Sequence, residues 1–139
     1  MQMDVGLDTG DMLLKTEVEI GPEMVTEELH DALMAAGATL MGQTVEQIAN
    51  GTIQREKQQD ELSNYAPLLT KETGHIDWSQ SAAAIHTLVR GLNSWPSAYT
   101  HWDKKVVKIW RAKAEADGTV KAEPGTVLSV EKDSFTVQT

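Results

Sequence analysis

The stretch SQSAAAIHTLVRGLNSWPSAYTHWDKKVVKIWRAK, residues 79–113, changes its period halfway through, and that change decides the fold. Ahead of Pro96, Ala82, Ile85, His86 and Val89 recur at helical spacing, so a helix is expected over 79–90, capped by Ser79. Gly91 stops it, and Asn93-Ser94-Trp95-Pro96 turns the chain. Beyond Pro96 the period becomes two. Strands are expected at 98–102, 106–112, 126–130 and 135–138, with turns at Asp103-Lys104, Asp117-Gly118 and 131–134. Short strands joined by close turns predict a small β-barrel or sandwich. The last strand reaches Thr139 without a closing partner, leaving an open edge of the kind native sheets usually protect.

Upstream, the texture differs. Residues 52–72 are polar, without a clear period, and read as a connector. Before them, Leu29, Leu33, Ala36, Leu40, Met41, Val45 and Ile48 form an apolar helical stripe that would face a core. Thr26 is placed to cap this helix, with Glu27 and Glu28 in its first turn. Gly37 and Gly42 predict a kink or two abutting helices, and Asn50-Gly51 a stop. Residues 12–20, MLLKTEVEI, alternate like a strand with one wet face, ended by Gly21-Pro22. The opening Asp4-Val5-Gly6-Leu7-Asp8-Thr9-Gly10-Asp11 is a turn-rich loop with three carboxylates.

Composition narrows the class. The chain has 139 residues, 40% hydrophobic and 24% charged, so a disordered polyelectrolyte is excluded. No apolar run approaches the roughly 20 residues that cross a bilayer, so no membrane partner is expected. Zero cysteines remove disulfides, thiolate nucleophiles and Cys-ligated zinc, which fits a cytoplasmic protein. The opening residues carry no basic and apolar signal pattern. The net charge of −9 is uneven: residues 1–80 hold four Lys/Arg against fifteen Asp/Glu, residues 81–139 eight against six. An acidic first part and a mildly basic second part suit different partners.

Asp4, Asp8 and Asp11 are oxygen donors, yet they lack the alternate spacing, fixed glycine and distal Glu of a calcium loop. Carboxylates capping backbone amides in a turn explain them better than a metal site, and no metal is expected. His30, His75, His86 and His101 have no close ligand spacing, and His86 reads as a packed helix residue. No Ser/His/Asp set or phosphate loop can be assembled from spacing. The run from Lys104 to Lys113 says more. Lys104, Lys105, Lys108, Arg111 and Lys113 are five cations without a carboxylate among them. A period of two turns Val107 and Ile109 inward and sets Lys108 and Trp110 on the open face. The lysines can protect a sheet edge, or such a strand can hold a phosphate backbone and stack a base.

Three stretches, in this order, resemble the methionyl-tRNA formyltransferase family: MQMDVGLDTGDM at 1–12, GHIDWSQSAAAIHTLVRGLNSWPSAY at 74–99 and VVKIWRA at 106–112. Ser94 departs from the pattern, in which Pro is more usual. The resemblance implies transfer of a formyl group from 10-formyltetrahydrofolate to the amino group of initiator methionyl-tRNA, in a monomeric enzyme. It implies an α/β part and a β part: residues 1–52 as the end of a doubly wound formyltransferase domain, 53–72 as a linker, and 73–139 as an incomplete OB-like barrel. The family's chemistry rests on an Asn, a His and an Asp, and only the Asp has a match here, Asp8. Asp4 and Val5 would line the folate pocket, and the cationic run would meet the tRNA. On this reading the chain is an internal-to-C-terminal fragment, inactive alone. The alternatives are a related formyltransferase acting on a nucleotide sugar and a stand-alone OB-like nucleic-acid-binding module.

Overall fold

The computed structural model describes residues 1–115 and 122–139. The expected turn at Asp117-Gly118 lies outside them. The described chain is a mixture of helix and short antiparallel strands, divided into two compact units. One comprises residues 1–22 and 28–68, the other 23–27 and 69–139.

In the first unit the dominant element is helix α1, Thr26–Ala49, whose first two residues are grouped with the second unit. It is one continuous helix, so of the kink or two abutting helices expected from Gly37 and Gly42 the second is not found. Each glycine costs roughly 0.5–1 kcal/mol against alanine, and a ladder of this length carries that. Asn50-Gly51 stops the helix as expected. Gly51 takes a left-handed φ of 68°, while its N–H donates to the Ile48 carbonyl and that of Thr52 to the Gln47 carbonyl. Those two bonds are a Schellman cap. The apolar stripe exists, but no residue of α1 is buried, and Leu33, Met41, Val45 and Ile48 are each about half exposed or more.

Residues 12–20 are not a strand. Met12 alone pairs, in an isolated antiparallel bridge with Glu56 (N···O 2.8 and 2.9 Å). Alternation selects one face of a strand, but a ladder also needs a neighbour with free donors and acceptors, and none continues past Met12 among the described residues.

The second unit holds the apolar core. Helix α2, Ala82–Gly91, buries Ile85 and Val89 against Ile76, Ala98 and the half-buried Trp78, Leu88, Ile109 and Ala112. Its cap is Ser81, whose hydroxyl accepts from the Ala84 N–H at 3.2 Å. The expected cap, Ser79, is used elsewhere: its N–H and hydroxyl both donate to the Asp77 carboxylate. His86 is half-buried on α2 and its Nε2 lies 3.3 Å from a Glu23 carboxylate oxygen.

Strands β1 (Ala98–Trp102) and β2 (Lys105–Ile109) form one antiparallel sheet, with Trp102 opposite Lys105 and Ala98 opposite Ile109. Asp103 and Lys104 make the two-residue connection, with φ of 46° and 63°. Two positive φ values match a type I′ turn, whose twist suits adjoining strands. Strands β3 (Val127–Val130) and β4 (Phe135–Val137) form a second two-stranded sheet, with an irregularity between Val127 and Ser129. All four expected strands are present, with ends within a few residues of those expected. The peptide bonds Asn93–Ser94 and Trp95–Pro96 are cis.

Candidate functional site

In the first unit, Asp4, Val5 and Asp8 occupy one exposed loop. Its ends are tied by the Gln2 N–H donating to the Asp11 carbonyl at 2.8 Å. Gln58 clamps it from outside: its side-chain amide donates to the carbonyls of Asp8 (2.8 Å) and Gly10 (2.7 Å). Gly10 is buried, and a Cβ there would run into the Gln2 carbonyl, so glycine is what lets the two strands of the loop approach. Asp8 sits at φ 54°, a left-handed conformation that Asp and Asn adopt more readily than other non-glycine residues. Among the described residues no donor reaches its carboxylate. The Asp4 carboxylate accepts from the Val5 N–H at 2.7 Å, the local turn bond expected of it. The Val5 side chain is fully exposed. Lys15 pairs with Glu56 at 2.6 Å, reinforcing the same contact between the loop's end and residues 56–58.

In the second unit the five cations do not share a face. By alternation from the register, Lys105 is on the side of Val107 and Ile109, at the turn end of the hairpin, whereas Lys108 is on the opposite side with Val106. Lys108 Nζ lies 5.6 Å from the centre of the Trp110 ring, in range of a cation–π contact. Lys104 is in the turn, and Arg111 and Lys113 follow the end of β2. Lys113 is paired with Glu115 at 3.2 Å. Val107 and Ile109 are half-buried, as the period of two requires, and Lys108 is exposed.

The residues before α2 are held by polar contacts. The Asp77 carboxylate accepts from the Ser79 hydroxyl (2.7 Å), the Ser79 N–H (3.0 Å) and the Gln80 amide (3.1 Å). These bonds, the Ser79 hydroxyl first, hold its carboxyl below the ordinary carboxylate range. Trp78 Nε1 donates to the Thr100 hydroxyl at 3.0 Å, and the Ile76 N–H to the Tyr99 carbonyl at 2.8 Å, stitching residues 76–78 to β1. Among the described residues no group of three His, Asp or Glu is arranged to hold a metal ion. No helix among them is long and apolar enough to cross a membrane.

Residues 68–139, which include the whole α2–β1–β2–β3–β4 series, match the family profile described as the formyl transferase, C-terminal domain. The chain belongs to that family. Over its entire length it is also 52% identical to the methionyl-tRNA formyltransferase of Clostridium perfringens (strain 13 / Type A), covering 45% of that protein. It is 48% identical over 137 residues to the methionyl-tRNA formyltransferase of Clostridium novyi (strain NT), covering 44% of it. The corresponding figures for the Clostridioides difficile (strain 630) protein of the same name are 45% over 139 residues and 45%. The chain thus spans just under half the length of these relatives. The resemblance drawn from 1–12, 74–99 and 106–112 is borne out.

Two features of this formyl transferase chain escape a reading of its sequence. Gln58 lies in a polar segment with no period, and nothing local marks it as the clamp on the Asp8 loop. The rings of His75, Tyr99 and His101 gather on one face of β1. Their signal is present, as aromatic residues at 99 and 101, two apart on a strand.

Proposed function

We propose that this chain is part of an enzyme that transfers the formyl group of 10-formyltetrahydrofolate to the amino group of initiator methionyl-tRNA. The observation that carries this reading is its similarity, along its whole length, to proteins named methionyl-tRNA formyltransferase. In that enzyme residues 1–52 complete a doubly wound catalytic domain, 53–72 link, and 73–139 contribute to an OB-like barrel. It acts as a cytoplasmic monomer.

The folate supplies an activated formyl carbon. Charge develops on the carbonyl oxygen as the amine attacks, and a proton must leave the amine. Asp8 serves as the carboxylate that raises the pKa of a catalytic imidazole and fixes its tautomer. An exposed carboxylate on a clamped turn, with no donor of its own among the described residues, supports that role: it is available to such a partner. Asp4 and Val5, on the same loop, belong to the wall of the folate pocket. Lys104, Lys105, Lys108, Arg111 and Lys113 are tRNA-phosphate contacts. Lys108 is the best supported, being exposed beside Trp110.

A salt titration tests the tRNA assignment. In an enzyme carrying this chain, replacing Lys105, Lys108 and Arg111 with Ala raises KM for methionyl-tRNA and leaves KM for the folate unchanged. The slope of log affinity against log salt flattens by roughly 0.7–0.9 for each phosphate that the variant no longer neutralises. Unchanged tRNA affinity at every salt concentration, with increased aggregation, would instead make these lysines guards of an exposed sheet edge.

A further inference from the structure

The rings of His75, Tyr99 and His101 lie within one cluster, their centres 5.3 Å (75 to 99), 5.5 Å (75 to 101) and 5.6 Å (99 to 101) apart. Tyr99 meets both imidazoles edge to face, and the two imidazoles are tilted by 39° to each other. His75 reaches this position because it bridges to Tyr99 in parallel, outside the β1–β2 ladder. His101 arrives there by alternation along β1. Across the sheet, Lys108 is directly opposite Tyr99 and Val106 opposite His101. The same side of the sheet therefore carries three clustered rings, an exposed ammonium and the Trp110 indole beneath it. Both imidazoles are exposed and Tyr99 is half-buried, so the cluster is open to solvent on an anchored ring. The Trp110 backbone is held too, its carbonyl accepting from the Asn93 side chain at 2.8 Å. Asp77, two residues from His75, is already occupied by Ser79 and Gln80.

We propose that this face is a stacking seat for an unpaired nucleotide of the RNA substrate, its base stacked on the Tyr99 ring with the His75 and His101 imidazoles beside it and its phosphate on Lys108. The proposal rests on the reading that RNA is this chain's partner, and adds what part of the RNA it takes and with which residues. Aromatic side chains beside cations are how proteins hold single-stranded nucleic acid, because every base offers a flat π-face. A duplex, with its bases already stacked on one another, gains nothing from the rings.

The test is fluorescence anisotropy of the 139-residue chain with a labelled short oligoadenylate, the same sequence as a duplex, and methionyl-tRNA. The unpaired oligonucleotide binds more tightly than the duplex. Tyr99→Leu weakens it by roughly 5- to 150-fold, the loss of one base stack, and His101→Ala weakens it in the same direction. Neither changes the salt slope, because stacking releases no counterions, whereas Lys108→Gln flattens it by roughly 0.7. Tyr99→Phe, which keeps the ring, retains affinity and controls for folding, checked by circular dichroism. If tRNA binds but Tyr99→Leu and His101→Ala bind as well as wild type, the seat is refuted and the tRNA reading stands. Displacement of the oligonucleotide by polyglutamate at equal charge would overturn the seat in favour of an acidic protein partner. If neither this chain nor an enzyme carrying it binds tRNA at any salt concentration, the wider reading falls, and the seat with it.

Discussion

Asp8 illustrates how much a single residue's backbone decides about the experiment that probes it. At φ 54° an alanine would incur roughly 1–2 kcal/mol for the left-handed conformation, so Asp8→Ala mixes removal of charge with a strained loop. Asparagine tolerates that conformation and has the same shape. The Gln58 clamp acts on the carbonyls of Asp8 and Gly10, not on the side chain, and survives the change. Asp8→Asn in an enzyme carrying this chain is therefore expected to melt within about 1 °C of wild type, since no bond to the carboxylate is broken. It lowers kcat by an amount on the order of 10⁴, the scale seen when the charge behind a catalytic imidazole is removed, and changes folate affinity little. Wild-type turnover in a stable Asp8→Asn protein would reduce Asp8 to a turn residue.

At the level of elements, the junction from Gly74 to α2 shows what a sequence reveals about a fold and what it withholds. The helix is legible because Ala82, Ile85, His86 and Val89 repeat at its period, and all four are at least half-buried. The hairpin is legible because its period of two brackets a two-residue turn. The cap is not, since Ser79 and Ser81 are equally good caps in isolation; only the fold shows Asp77 taking the hydroxyl of the first. The alternation over 12–20 misleads for a related reason, as pairing depends on a partner far along the chain. The Asp loop is visible from its composition, but its Gln58 clamp is not, being fifty residues away from Asp8. The Asp77 contacts give the junction a pH dependence with a definite sign. A carboxyl held below its unfolded value contributes stability that is present above that value and disappears as pH falls through the folded one. Ser79→Ala removes the largest of those contacts. The variant is expected to melt below wild type at neutral pH, with the gap between the two narrowing from neutral pH into the acid range as Asp77 becomes protonated in both. Calorimetry across that range checks it, and a constant gap at every pH would show that the Ser79 hydroxyl acts through something other than the Asp77 charge.

Across the whole molecule, burial is distributed far less evenly than helix content. The longer helix, α1, buries no residue, while the ten-residue α2 buries two and anchors a core that includes Ile76 and Ala98. In the unit of residues 1–22 and 28–68, Gly10 alone among the described residues is fully buried. Helices in proteins draw most of their stability from packing one face, and local propensity with a good cap leaves an isolated helix marginal in water. Two glycines in α1 weaken even that local contribution. By contrast, fully burying a side chain such as Ile76 or Val89 is worth about 1.5–3 kcal/mol. The two units of this chain should therefore open with different free energies. In hydrogen exchange of the 139-residue chain, amides of α1 past its first turn are expected to exchange at least about 100-fold faster than those of α2 and of the β1–β2 ladder, the ratio that a difference of roughly 3 kcal/mol gives. Limited proteolysis should follow the same order, cutting first within residues 28–68 and sparing α2. Ile76→Ala separates local from global control. It removes buried volume only from the second unit, so it should cost that unit about 2–5 kcal/mol and accelerate exchange in α2 while leaving α1 rates unchanged. Equal protection of α1 and α2 in the wild-type chain, or a response of both to Ile76→Ala, would mean that the chain opens as one cooperative body.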